Sequence, residues 1–258
     1  LTEEVGGLWF ADGAMTDRMP ARHFIVKLPR GKSEADKKVL RNEAAYMRVA
    51  KALGLRVHGP LEHENDMLFI PRFDREMADG KLLCHHQESV ASLAGVLGFD
   101  VRPSQFELLE AIRSVVSDKE GDTLEFLKRD ILNLAMRNTD NHARNTAIQV
   151  IGKTVRLSPL FDFAPMYLDP EMIPRVSRWY HPEHGKELTN WTDVLATLPV
   201  EAAEATRLRQ AMAAFGLQLQ TLPALMYRYG VDDDITTHLQ KGIEEQCRQL
   251  AELTGPAN

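Results

Sequence analysis

Between residues 122 and 164 the chain allows few architectures. The stretch "DTLEFLKRDILNLAM", 122 to 136, spaces its apolar residues by three and four and reads as an amphipathic helix. It delivers the chain straight into "RNTDNHARN", where Asn, Asp, His and Arg crowd together at 137 to 145. "TAIQVIGKTVRLSP" then reads as a hairpin, with residues 147–151 and 155–157 as its arms. "LSPLFDFAP" follows and brings another carboxylate, Asp162. A hairpin reverses the chain, so Asp162 can return beside Asn145 despite seventeen residues of separation. Helix, polar knot, hairpin and carboxylate are thereby drawn to one point.

The rest of the chain supplies a frame. "ARHFIVKLPRG" reads as a short strand with Phe24 and Val26 on one face and His23, Ile25 and Lys27 on the other, stopped by Pro29 and Gly31. From 34 to 53, Val39, Leu40, Ala44, Met47 and Leu53 recur at helical spacing. "NDMLFIPRF" reads as a strand that breaks at Pro71, and "DREMADGK" as a polar turn. After about residue 85 the pattern becomes helical, through "SVASLAGVLGF" and "SQFELLEAIRSVV", with Ser104 and Asp122 or Thr123 as helix starts. A loop rich in Pro, Tyr and Trp runs from 159 to 192, and helices return near 201 to 220 and 232 to 253. The change near 73 to 85 predicts an α+β, two-lobed molecule: a small mixed lobe over 1–80 and a larger, mainly helical lobe over 81–258, with a ligand cleft at their junction.

Composition narrows the function. The 258 residues are 44% hydrophobic and 26% charged, as in ordinary globular proteins, and hold no apolar run long enough to span a membrane. With 37 acidic and 31 basic side chains the net charge is -6, which disfavours broad binding to nucleic acid. Two cysteines, Cys84 and Cys247, are too few for a disulfide framework and suit a reducing, cytoplasmic setting. The first residues lack the basic-then-apolar pattern of a secretory signal, and a start at Leu1 rather than Met is what a processed piece or a fragment of something longer would show.

Several chemistries lack their motifs. "RGKS" at 30 to 33 ends like a phosphate-binding loop, but the glycine needed five residues before Gly31 is Val26. No G-x-G-x-x-G, H-E-x-x-H or G-x-S-x-G occurs, and His85 and His86 offer no zinc-binding spacing. Phosphoryl transfer fits better. It needs a carboxylate at the acceptor hydroxyl, and an amide with a second carboxylate to hold Mg2+ against ATP. Asp140 and Asn145 stand five residues apart, the interval of the protein-kinase catalytic loop, and Asp162-Phe163 resembles the Asp-Phe-Gly metal site with Ala164 in place of glycine. Lys27 on its strand can meet phosphate oxygens while Glu43, on the next helix, orients it by ion pairing. Taken singly, each has an ordinary structural use: Asp140 and Asp162 as turn formers, Asn145 satisfying loop amides, Lys27 reaching solvent, Glu43 facing it.

With these residues placed, the chain resembles the HipA family of bacterial serine/threonine kinases, which includes toxin components of toxin–antitoxin systems. "RNTDNHARN" is similar to that family's catalytic segment, "LSPLFDFAP" to its metal-binding segment, "LFIPRFDRE" to the stretch after the nucleotide lysine, and "HFIVKLPR" to the strand carrying that lysine. The resemblance spans roughly residues 20 to 230 and implies a protein-kinase-like fold. It implies Asp140 as the catalytic aspartate, Asn145 and Asp162 as Mg2+ ligands, Lys27 as the phosphate contact and His142 in a supporting role. It also implies a hinge near 70–74, with Ile70 and Arg72 offering backbone to adenine and Phe69 and Phe73 apolar walls. Members usually carry a further subdomain ahead of this core, and most of it is expected to be missing here. "GGLWFADGAMTDRMP" does not match the family's phosphate-covering loop, and neither Ser33 nor Thr16 can be assigned as the inhibitory phosphorylation site found there in some relatives. The implied reaction moves phosphate from ATP to Ser or Thr of a protein, with an aminoacyl-tRNA synthetase among the family's substrates. A helix-turn-helix antitoxin is the implied partner, making any association with operator DNA indirect. A small-molecule kinase and a noncatalytic, kinase-shaped regulatory subunit stay open as alternatives.

Overall fold

The structure is a computed structural model that describes residues 1–14, 20–98 and 101–255. Thr16 lies outside them. Five antiparallel strands, β1 (Thr2–Glu4), β2 (Trp9–Phe10), β3 (Pro20–Lys27), β4 (Glu62–Glu64) and β5 (Met67–Pro71), form one sheet in the order β2-β1-β3-β5-β4. Helix α1 (Glu34–Ala52) crosses from β3 to β4 and packs on β4 and β5. Ser33 starts it with a reciprocal capping box to Asp36, and Glu34 and Asp36 place negative charge in the first turn, where the helix dipole favours it. Gly54, at φ +80, follows the last turn in the left-handed conformation that ends helices.

The expected facing of β3 holds: Ile25 and Lys27 line a common cavity, whereas Phe24 packs against Trp9, as strand alternation requires. His23 is buried beside Phe24, and its Nδ1 lies 2.9 Å from the Thr2 hydroxyl of β1, whereas Ile25 is 53% exposed. Strand β1, which the sequence reading missed, pairs alongside β3 and sets Thr2 opposite His23. The expected polar turn "DREMADGK" is corrected: β6 (Arg75–Ala78) and β7 (Lys81–Cys84) form a two-stranded hairpin about Asp79 and Gly80. Both turn residues have positive φ, 50° and 71°, as a tight hairpin turn demands.

Strand β8 (His86–Ser89) follows, then α2 (Val90–Leu93), which is much shorter than the helical pattern of 89–99 promised. Next come α3 (Gln105–Val115), α4 (Lys119–Ala135), β9 (Ala147–Ile151) and β10 (Thr154–Leu157). Strand β9 pairs with β10 on one side and β8 on the other, so the predicted hairpin gains a third strand. An irregular stretch leads to α5 (Trp191–Thr197), α6 (Ala202–Leu219), α7 (Leu222–Tyr229) and α8 (Asp233–Glu252). Helix α4 packs on α3, α6 and α8, burying Phe126, Leu127, Ile131, Leu132 and Ala135. The result is the α+β, two-lobed arrangement expected: strand-rich first, then mostly helical. No helix among the described residues is long and apolar enough to cross a membrane.

Candidate active site

The chemistry-bearing residues come from separate elements. Lys27 ends β3, Glu43 lies inside α1, Asp140 and Asn145 sit on the connection after α4, and Asp162 follows β10. The Lys27 ammonium donates to Glu43 Oε2 at 2.8 Å and to Asp162 Oδ1 at 2.5 Å. Asn145 Nδ2 donates to the Asp140 carbonyl at 2.9 Å, which fixes the amide against the loop. His142 Nε2 is 3.4 Å from Asp140 Oδ1. Asp140, Asn145 and Asp162 share one small cavity of about 30 Å³.

Charge follows from burial and neighbours. Burial pushes the Glu43 carboxyl up to about 7 against the pull of Lys27, because the nearby Asp162 charge adds to the rise. Burial also opposes the charge on Lys27, but Glu43 and Asp162 overcome it and hold the ammonium above its ordinary range. Burial raises Asp140 as well; Asp162 reinforces this, while His142, the Asn145 amide and Lys27 oppose it. Asp140 is therefore a stronger proton acceptor than a carboxylate in water.

Two larger cavities meet at Lys27, Glu43 and Asp162. One, of about 560 Å³, is lined by Ile25, Met47, Ile70, Arg72, Phe73 and Phe161 among others. The other, of about 430 Å³, holds Asp140, His142, Arg30 and Asp169. Of the expected wall residues, Ile70 and Phe73 line the first cavity, with the Phe73 ring centroid 5.9 Å from that of Phe161. Phe69 does not; its ring packs on Trp9, with centroids 5.5 Å apart. Arg72 reaches the cavity, but its N–H bonds to His23 O at 2.8 Å and its guanidinium is held by Asp74. Ile70 sits opposite Ile25 in the sheet. At Arg72 the backbone N–H is thus taken by β3. Ser33 is the cap of α1.

The surroundings explain why these atoms stay in place. Asn141 accepts from Val176 N (2.9 Å) and Ser177 N (3.3 Å) and donates to Ser177 O (2.7 Å), pinning the polar loop to the segment before α5. The buried Asp130 carboxylate holds that segment through Arg175 and Trp179 Nε1. Arg129, fully enclosed, binds Glu125 and the Ser158 carbonyl, while Leu160 N donates to Arg56 O, so the approach to Asp162 is tied to α4 and to the end of α1. Asp162 itself takes φ +54, and residue 164 needs no left-handed conformation, so alanine fits where glycine was expected. Phe163 is buried against Tyr46 of α1, whose hydroxyl donates to Met136 O at 3.2 Å, next to the polar loop. Sequence reasoning missed Asn141, Asp130, Arg30 and Tyr46. Only Asn141 carried a signal, the polar density of its own stretch.

Oxygen donors suit Mg2+, and two are on offer. With Asn145 Nδ2 engaged, its Oδ1 is left for a cation; with Asp162 Oδ1 on Lys27, Oδ2 is left. No group of three His, Cys, Asp or Glu gathers for a metal among the described residues, so any Mg2+ held here draws further ligands from phosphate or water.

Comparison with known proteins followed the same outline. A family model described as HipA-like C-terminal domain matches residues 10–221. The curated protein "Putative kinase Y4mE" of Sinorhizobium fredii is 30% identical over 146 residues, which cover 53% of this chain and 34% of that one. Among solved structures, HipA of Shewanella oneidensis MR-1, in a toxin–antitoxin complex with HipB and operator DNA, superposes with a TM-score of 0.66 at 17% identity, covering 96% of this chain and 65% of that one. The Helicobacter pylori proinflammatory kinase CtkA gives 0.58 at 13% identity, covering 90% and 89%. The chain thus spans about a third of the curated relative's length and about two thirds of the HipA chain, and the structural likenesses carry the fold.

Proposed function

This chain belongs to the HipA-like C-terminal domain family, and on that premise we propose that it is a Mg-ATP-dependent kinase that phosphorylates Ser or Thr of a protein. The observation that carries the reading is the meeting of two cavities at Lys27, Glu43 and Asp162, with Asp140 opening on one of them. ATP takes the 560 Å³ cavity, its adenine between Ile70, Phe73 and Phe161 and its phosphates at Lys27. Strand β4 pairs with β5 only as far as Phe69, and Arg72 N–H is turned to β3, so alternation leaves the Pro71 carbonyl and Phe73 N–H toward the unpaired edge, where adenine can bond them. Glu43 keeps Lys27 aimed at the phosphate oxygens. Asp140 orients the acceptor hydroxyl and takes its proton, a task that its raised affinity for protons favours. Asn145 and Asp162 would hold Mg2+, which offsets charge on the phosphates when bound.

The division 1–80 and 81–258, with the hinge at 70–74, belongs to the same reading. So does a role as the toxin of a toxin–antitoxin pair, restrained by a helix-turn-helix protein; with a net charge of -6, this chain would reach operator DNA through that partner. An aminoacyl-tRNA synthetase is the first substrate to try. The test is incubation with Mg2+, labelled ATP and extract of the source cell. Label on Ser or Thr, absent with Asp140→Asn, supports the proposal; label that persists with Asp140→Asn overturns it.

A further inference from the structure

The 430 Å³ cavity holds more than the acceptor hydroxyl needs. Besides Asp140 and the basic Arg30, His142 and Arg144, its lining has an aliphatic part: Val96, Val101 and Pro103 from the connection between α2 and α3, and Met166, Ile173 and Val176 from the segment before α5. Its other carboxylates are engaged. Asp36 accepts from the backbone and hydroxyl of Ser33, and Asp169 from Arg30 at 2.8 Å and from Glu171 N at 2.9 Å. Glu43 and Asp162 share Lys27. A cationic acceptor such as an amino sugar therefore meets no open acid beyond Asp140 and the Asp162 Oδ2 that Mg2+ would take, whereas an aliphatic side chain meets a wall it can cover. Burying apolar area there is favourable at roughly 25 cal/mol per Å², and a charged neighbour placed against those aliphatic side chains would lose hydration that they cannot replace.

We propose that this cavity reads the residue beside the phosphorylated hydroxyl, selecting a Ser or Thr flanked by Val, Ile or Leu in an extended protein segment. The inference rests on the kinase reading above and adds a specificity to it. Val101 and Ile173 line the cavity from different loops, and Val101 is 45% exposed, so a lysine there leaves the core alone.

The experiment uses the whole chain, Mg-ATP and a peptide library with a fixed central Ser and one neighbouring position varied at a time, beside amino-sugar acceptors. The expected result is enrichment of aliphatic residues at one position. Ile173→Lys and Val101→Lys should each reduce kcat/KM for the aliphatic peptide by ~10-fold or more. They should also shift preference toward Asp or Glu at that same position while ATP affinity is unchanged. A gained preference is something a merely unstable variant would not show. Asp140-dependent transfer with flat or charged selection, or transfer to amino sugars instead of peptides, overturns this inference and leaves phosphoryl transfer standing. No Asp140-dependent transfer to any acceptor overturns both.

Discussion

In the proposed kinase the Asp140 carboxylate has to stay available as a base in a half-enclosed site. Replacing it with Asn keeps the shape and removes the proton acceptor, so kcat should fall by ~10²–10⁴ while ATP binding is retained, as calorimetry with a nonhydrolysable analogue would record. Because burial raises Asp140 and His142 pulls it back, the acid limb of kcat/KM should lie above the ordinary carboxylate range, and His142→Gln should move it to higher pH. An unmoved limb would leave His142 a purely structural residue. Glu43 carries the clearest stability signature. Its folded pKa of about 7 exceeds the ordinary 4.5, so the folded state binds the extra proton between those values and loses stability as pH rises through them. Glu43→Gln lacks that loss. Relative to wild type, the variant should therefore gain up to about 3 kcal/mol between pH 4.5 and 7.5 in urea unfolding. A constant difference across that window would mean that Lys27 keeps Glu43 ionised throughout.

Elements bring these residues together, and α4 does most of the holding. Its face toward β10 carries Asp122, Glu125 and Arg129, all buried, with Arg56 completing the network. Arg129→Ala would leave Glu125 enclosed without its charged partner, keeping only the Arg56 N–H, and a cost of about 3–5 kcal/mol is expected from denaturant unfolding. Such a network explains where sequence reading succeeds and fails. Helices α1, α3, α4, α6 and α8 announce themselves because their apolar spacing is the same whatever they pack against. The β6–β7 hairpin did not: its outer residues are mostly polar or exposed, and only Asp79-Gly80 gave a cue. Strand β1, three residues with no periodicity of its own, was not readable either, and with it went the burial of His23 opposite Thr2. In the site, Asp140, Asn145 and Asp162 were readable because spacing and a hairpin bring them together. Arg30 was not, because its partner Asp169 lies far along the chain and only the fold sets it across the cavity. Phe69 and Ile70 are neighbours in sequence, and the alternation of β5 sends only Ile70 to the cavity.

The whole molecule is larger than the family match. The matched region ends at residue 221, whereas the core does not. Leu222 and Met226 of α7 and Ile235, Leu239 and Leu250 of α8 are all fully buried, and α8 packs on both α4 and α6. The same segment holds α1 from the other side: Asp232 N donates to Asn42 Oδ1 at 3.0 Å, Arg41 pairs with the Asp232 carboxylate at 2.7 Å and Lys38 pairs with Asp234. Helix α1 carries Glu43, so the tail braces the ion pair that aims Lys27. Deleting one large buried aliphatic side chain costs about 2–5 kcal/mol, and whole domains are stable by only about 5–15 kcal/mol. Ending the chain at residue 221 would remove five such side chains and uncover their partners on α4 and α6. The shortened chain should therefore fail to give a cooperative thermal transition and should aggregate or run as an expanded species on gel filtration. Asp232→Ala in the full chain separates bracing from core loss. It should keep the cooperative transition, since only the surface pairs with Arg41 and Lys38 are disturbed, while weakening the hold on α1 and raising KM for ATP. If the shortened chain melts cooperatively and turns over ATP like the full one, α7 and α8 are an accessory layer, and α1 is positioned by the sheet and the segment at Asp162 alone.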